Sequence, residues 1–143
     1  KYIDKYLSLY PKVDEYMKNN IKIAYEQGYV KTLFNRKRVI DELNNTNYMI
    51  RQSGERMALN TPIQGTSADI MKMAMIKVYD EMKKHNFKSK IVMQVHDELI
   101  FDCFSDELEE VIKVAKNAME NIYKISVPLK VSADTGKNWY DAK

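Results

Sequence analysis

The chain has 143 residues, of which 45% are hydrophobic and 30% charged, which is enough apolar mass for one cored domain and too little bias for a disordered polymer. Its net charge of +3 is mild, so a nucleic-acid partner has to be argued from where the cations fall. A lone cysteine, Cys103, excludes an internal disulfide and a cysteine-built zinc site; the apolar runs are too short for a membrane-spanning helix, and with no basic-then-apolar run at its start no secretory leader is expected.

Pro11 suits the first turn of a helix whose apolar stripe is Val13, Tyr16, Met17, Ile21 and Ala24, and Gly28 suits its C-terminal cap. Tyr29 to Phe34 then reads as a strand, Asn35 tolerates a left-handed turn, and Arg36-Lys37-Arg38-Val39 returns, which puts a basic run on a hairpin. Lys31, Arg36, Lys37, Arg38, Arg51 and Arg56 fall in one region of the chain, while Asp106, Glu107, Glu109 and Glu110 fall in another. Basic clusters this short are more often solvated surface than binding sites, so the cluster alone decides nothing.

Asn44-Asn45-Thr46-Asn47 reads as a loop and cap, followed by a helix to about Asn60. Gly54 inside it is expected to cost about 1 kcal/mol at an exposed site, or else to ease close packing. Arg56, Asn60 and Gln64 stand at i, i+4 and i+8, a ladder of hydrogen-bond donors along about 12 Å of one helix face. Bases on one strand repeat about every 3.4 Å, so such a ladder can reach the sugar edges and minor-groove acceptors of consecutive nucleotides. An ordinary polar helix face is the simpler alternative. A second helix carries Ile70, Met71, Ala74, Met75, Val78 and Met82 inward, a spacing that makes the methionines core rather than ligands. It either continues the first across Pro62 and Gly65 or breaks at Gly65, where Thr66 and Asp69 have the spacing of a capping box.

Two apolar runs, Ile91 to Val95 and Leu99 to Phe104, flank Gln94-Val95-His96-Asp97-Glu98-Leu99 and predict a hairpin turning at His96 and Asp97. Adjacent carboxylates on a rigid tip suit a divalent cation with hard oxygen ligands; a solvated turn is the alternative. Ser105 is expected to cap a helix with an acidic first turn and the stripe Leu108, Val111, Ile112, Ala115, Met119 and Ile122. Leu129 to Ala133 alternates and is expected to close a sheet against the hairpin, and Trp139 to pin the tail by burial.

Tyr10-Pro11, Gly28 to Phe34, Arg36-Lys37-Arg38, Glu55 to Asp69, Gln94 to Leu99, Val127-Pro128-Leu129 and Gly136-Lys137-Asn138-Trp139 occur in one order along the chain. With these motifs the sequence closely resembles the C-terminal part of the family A DNA polymerases, the bacterial DNA polymerase I type. The resemblance implies an α+β fold: a small antiparallel sheet backed by helices, the polymerase palm core, with the helical base of the fingers attached. Residues 1–45 would be the end of the fingers and residues 46–143 the palm with its metal-binding hairpin. Asp97 would be one of the two carboxylates that hold two Mg2+ ions, with Glu98 in a secondary electrostatic role and His96 positioning the primer terminus. Arg56, Asn60 and Gln64 match positions that hold template and primer, and Arg36, Lys37, Arg38 and Arg51 complete the expected DNA-binding set.

The implied reaction is addition of deoxynucleotides from their triphosphates to a primer 3′-hydroxyl on primer-template DNA, by two-metal phosphoryl transfer. The implied setting is DNA replication and repair by a monomeric cytoplasmic enzyme with no membrane partner. Three positions depart from the family's usual residues, Asn35 for Gly, Lys37 for Arg and Gly54 for Ala; Lys37 lacks the planar fork of a guanidinium. No counterpart is visible for the family's upstream metal-binding Asp-Tyr-Ser-Gln-Ile-Glu turn or for its triphosphate-binding fingers helix. Because the chain also starts at Lys1, it reads as a fragment that is inactive alone. Two other classes stay open: a non-catalytic nucleic-acid-binding module, and a metal-dependent phosphoesterase around His96, Asp97 and Glu98.

Overall fold

A computed structural model describes residues 2–142, which divide between Thr66 and Ser67 into two compact units. The first unit opens with helices α1 (Tyr2–Leu9) and α2 (Pro11–Gln27). Pro11 takes the first turn of α2, where its missing N–H costs nothing, and Gly28 ends the helix at φ 73°, donating its N–H to the Ala24 carbonyl. Of the expected α2 stripe only Ala24 is fully buried, while Val13 and Tyr16 stay exposed within the described residues.

Strands β1 (Tyr29–Lys31) and β2 (Lys37–Val39) pair antiparallel, with Val30 opposite Arg38. They are shorter than the sequence predicts because the chain turns from Thr32: the Thr32 N–H still donates to the Arg36 carbonyl, but its carbonyl accepts the Asn35 N–H and its hydroxyl the N–H groups of Phe34 and Arg36. Asn35 takes the left-handed conformation at φ 62°, as expected for the turn. A 3-10 turn at Asp41–Asn44 leads into helix α3 (Tyr48–Lys84). The core of this unit is Ala24, Val30, Ile40, Leu43 and Ala58, with Met57 packed against it.

Helix α3 runs without interruption through Pro62, so of the two alternatives the continuous helix holds and the break at Gly65 does not occur. Thr66 does not cap a new helix: its hydroxyl donates back to the Pro62 carbonyl, four residues earlier, and accepts the N–H of Leu33. Gly54 is buried, and a Cβ there would lie 3.1 Å from Glu42 Cβ, Leu43 Cδ2 and Leu43 N. Its role is thus the close packing foreseen as the second option, and the exposed-site reading is corrected.

In the second unit the later turns of α3 meet strands β3 (Lys90–Val95) and β4 (Glu98–Asp102) and helix α4 (Leu108–Glu120). Val78, Met82, Val111, Ala115 and Ala118 form its core, lined by Phe87, Ile91, Leu99, Phe101, Cys103 and Met119. Of the methionines on the expected stripe, Met71 and Met82 are buried and Met75 is partly buried. β3 and β4 pair from Lys90–Asp102 to Val95–Glu98, with a bulge between Ile91 and Met93.

Three expectations for this unit are corrected. Ser105 does not cap α4; Glu107 holds the cap position without a side-chain cap bond, because its carboxylate accepts the N–H groups of Lys88 and Ser89 and the Ser89 hydroxyl. Leu129 to Ala133 joins no strand, and the Val131 N–H goes to the Glu120 carboxylate instead of a ladder. Trp139 is 43% exposed and does not pin the tail by burial. The described residues thus hold two separate two-stranded antiparallel sheets rather than one, within an α+β fold. No helix among them is long and apolar enough to cross a membrane.

Candidate functional site

Arg56, Asn60 and Gln64 all lie exposed along α3, while Ala58 and Thr61 on the same stretch are buried. None of the three is tied up by a hydrogen bond or ion pair among the described residues. Next to Arg56, Glu55 accepts a 2.9 Å hydrogen bond from the Tyr25 hydroxyl. That bond links α2 to α3 and, chiefly through the carboxylate, raises the Tyr25 pKa above its usual value.

The basic hairpin docks on the same helix. Arg36 Nη2 donates to the Gly65 carbonyl at 3.0 Å, and the Leu33 N–H donates to Thr66 Oγ1 at 2.9 Å. Arg38 reaches Thr61 Oγ1 at 3.2 Å through Nη1 and Met57 Sδ at 3.4 Å through Nη2. A Cβ on Gly65 would lie 2.7 Å from Thr32 Cγ2, closer than real contacts allow, so the approach of the turn requires glycine there. Lys37 instead sits with its ammonium 4.6 Å from the centre of the Tyr29 ring. Arg51 Nη1 donates to the carbonyls of Asn45 at 2.9 Å and Thr46 at 2.8 Å, closing the loop before α3.

The structure therefore brings Arg36, Lys37, Arg38, Arg51 and Arg56 into one unit, but turns four of the five toward the chain itself: the three guanidinium groups of Arg36, Arg38 and Arg51 onto hydrogen-bond acceptors and the Lys37 ammonium onto the Tyr29 ring. Thr61, Gly65 and Thr66 escaped the sequence reading as docking residues. Their signal was present as small side chains at i, i+4 and i+5 on one helix face.

In the second unit, His96 and Asp97 form the turn between paired Val95 and Glu98, with His96 at φ 51°. Gln94 Nε2 donates to the His96 carbonyl at 2.8 Å and holds the turn in shape. The His96, Asp97 and Glu98 side chains are exposed, while Leu99 and Phe101 on the next strand pack onto the core. The tip is thus a solvated end of a rooted hairpin. The Asp97 carboxylate is a hard oxygen donor of the kind Mg2+ takes. No three His, Cys, Asp or Glu residues converge on a metal position among the described residues. Burial pushes the Cys103 thiol pKa up, which suits an inert core thiol.

Residues 1–141 match the model of DNA polymerase family A. The chain is 50% identical over 143 residues to DNA polymerase I of Caldicellulosiruptor bescii, covering 100% of this chain and 17% of that protein. It is 44% identical over 142 residues to DNA polymerase I of Bacillus subtilis, covering 99% of this chain and 16% of that protein. Among solved structures, the POL domain of Pol1 from M. smegmatis, in complex with a DNA primer-template and dNTP, matches with a TM-score of 0.93 at 38% identity. That match covers 98% of this chain and 25% of the other. The fold is that of a segment of an α+β polymerase domain. The chain belongs to DNA polymerase family A, and it spans 16% to 17% of the length of these curated relatives.

Proposed function

We propose that this chain is the C-terminal palm portion, with the end of the fingers, of a DNA-directed DNA polymerase that extends a primer 3′-hydroxyl with deoxynucleotides. The observation that carries the reading is the exposed Asp97 at the tip of a core-rooted hairpin, in a chain 50% identical along its whole length to a DNA polymerase I. Residues 1–45 serve as the fingers portion and residues 46–143 as the palm. The partners are primer-template DNA and deoxynucleoside triphosphates, and the complete enzyme is monomeric and works in the cytoplasm in replication and repair.

Asp97 would hold one side of the Mg2+ site from the turn that joins the paired residues Val95 and Glu98, a mount rooted in the hairpin. Bound Mg2+ supplies a lowered pKa at the attacking hydroxyl and charge neutralisation at the phosphate. Glu98 adds negative potential beside it, and His96 offers a positioning hydrogen bond to the primer end. The Arg56, Asn60 and Gln64 donors meet the minor-groove acceptors that occur in every correct base pair, so they sense pair geometry without reading sequence. Lys37 meets a backbone phosphate as a point charge.

Single-turnover incorporation and primer-template binding by Asp97→Ala in the complete polymerase test this reading. Loss of charge stabilisation at the reacting phosphate should cost at least about 100-fold in rate and leave DNA affinity within a few fold. A rate within about tenfold of the parent overturns the assignment of Asp97.

A further inference from the structure

We propose that the β1–β2 turn is a brace for the donor ladder, and that Arg36 and Arg38 are positioning residues acting through α3 rather than DNA-contacting cations. The proposal rests on the reading of Arg56, Asn60 and Gln64 as the duplex-sensing face.

Four observations converge on one short stretch of helix. Arg36 donates to the Gly65 carbonyl, Arg38 to Thr61 and Met57, and the Leu33 N–H to Thr66. Gly65 lacks the side chain that would collide with Thr32. These docking points interleave with Asn60 and Gln64 and surround Pro62, where the helix lacks one N–H of its own. A helix deprived of one internal hydrogen bond bends more easily there, and lateral bonds from a rigid turn oppose that bend. The ladder samples acceptors with hydrogen-bond tolerances of a few tenths of an ångström, so a small bend between Asn60 and Gln64 would blur its discrimination.

The bonding pattern of the arginines favours the brace over direct phosphate contact. Both terminal nitrogens of Arg38 already have partners on α3, and Arg36 faces a carbonyl on the same helix. Lys37, between them, has its ammonium over the Tyr29 ring and holds no carbonyl or hydroxyl partner among the described residues. Positioning and phosphate contact differ in a measurable way: each neutralised phosphate contact adds about 0.9 to the slope of log affinity against log salt, and a brace adds nothing.

The test compares Arg36→Ala, Arg36→Lys, Gly65→Ala, Lys37→Ala and Gln64→Ala in the complete polymerase. It measures primer-template affinity across a salt series and extension rates from matched and mismatched primer ends. Arg36→Ala and Gly65→Ala should leave the salt slope unchanged and slow matched extension by about tenfold, with a smaller effect on mismatched ends. Gly65→Ala alters no charge, so agreement between it and Arg36→Ala isolates the docking contact. Arg36→Lys keeps one donor for the Gly65 carbonyl and should recover most of the matched rate, whereas Lys37→Ala should lower the slope by about 0.9. A drop of that size in Arg36→Ala overturns the proposal in favour of a direct phosphate contact. If Gln64→Ala narrows the matched-to-mismatched ratio and Arg36→Ala does not, the brace alone is refuted; if Gln64→Ala leaves the ratio untouched, the ladder reading fails and the brace with it.

Discussion

Replacing Gly65 with alanine sets two effects of known size against each other. Within an α-helix alanine is favoured over glycine by about 1 kcal/mol, so on sequence grounds the change stabilises. The structure reverses the sign. The new methyl would lie 2.7 Å from Thr32 Cγ2, and Thr32 is only 5% exposed. A β-branched side chain in that position has little rotamer freedom, and its hydroxyl is engaged by the Phe34 N–H at 3.3 Å and the Arg36 N–H at 3.2 Å. Overpacking of this kind costs about 1–3 kcal/mol, leaving a net loss of about 1 kcal/mol in docking of the β1–β2 turn. Thr32→Ser removes the colliding methyl and keeps the oxygen that accepts both amides, at a cost of about 1 kcal/mol for the lost buried methyl. In the double variant the collision is gone, so the pair should be more stable than the sum of its parts by about 1–2 kcal/mol. Amide hydrogen exchange across residues 29–40 in the complete polymerase reads the local opening free energy directly. Additivity within about 0.5 kcal/mol, or a stabilising Gly65→Ala, would refute the argument from close approach.

Arg56→Ala should weaken transition-state binding for matched extension by about 1–3 kcal/mol and for mismatched extension by less, measured as kcat/KM on the two primer ends; equal losses would reduce Arg56 to general binding. Ile40→Ala empties a fully buried position in the first core and should cost about 2–5 kcal/mol in local stability, seen as lost exchange protection in β1, β2 and the start of α3. Backbone N–H groups of Lys88 and Ser89 hold the Glu107 carboxyl below its ordinary value of 4.5. A depressed folded pKa gives stability that is complete above the unfolded value and lost as pH falls through the lower folded one. Protection of the Lys88 and Ser89 amides, corrected for intrinsic exchange, should therefore hold at neutral pH and fall below about 4.5. Glu107→Gln should remove that acid dependence, and the same acid loss in the glutamine variant would reject the assignment.

Features set by a residue's own backbone or its near neighbours were legible in the amino-acid sequence itself. Pro11 and Gly28 bound α2, Asn35 takes a left-handed turn, and the apolar runs around His96 and Asp97 make a hairpin with the carboxylate at its tip. Spacing alone put Arg56, Asn60 and Gln64 on one exposed face and Val78, Met82, Val111 and Ala115 inside. These preferences are local: they follow from allowed φ values, from the 3.6-residue period and from strand alternation. The ordered motifs carried the family for the same reason, since residue identities survive without knowledge of contacts.

Tertiary structure decided whatever depended on a partner far along the chain. Local rules leave open a break at Gly65 and place a cap at Ser105, yet α3 stays whole and Glu107 takes the cap position. In the first case the partner is the Thr32 turn, and in the second it is the loop at Lys88 and Ser89. Alternation in Leu129 to Ala133 was not enough for a strand, because a ladder needs a facing edge and the Val131 N–H finds the Glu120 carboxylate first. Charge in Arg36, Arg38 and Arg51 could be counted from sequence, but not its use. A guanidinium binds whichever acceptor the fold brings within about 3 Å, and here those acceptors are carbonyls, a hydroxyl and a thioether of the same chain.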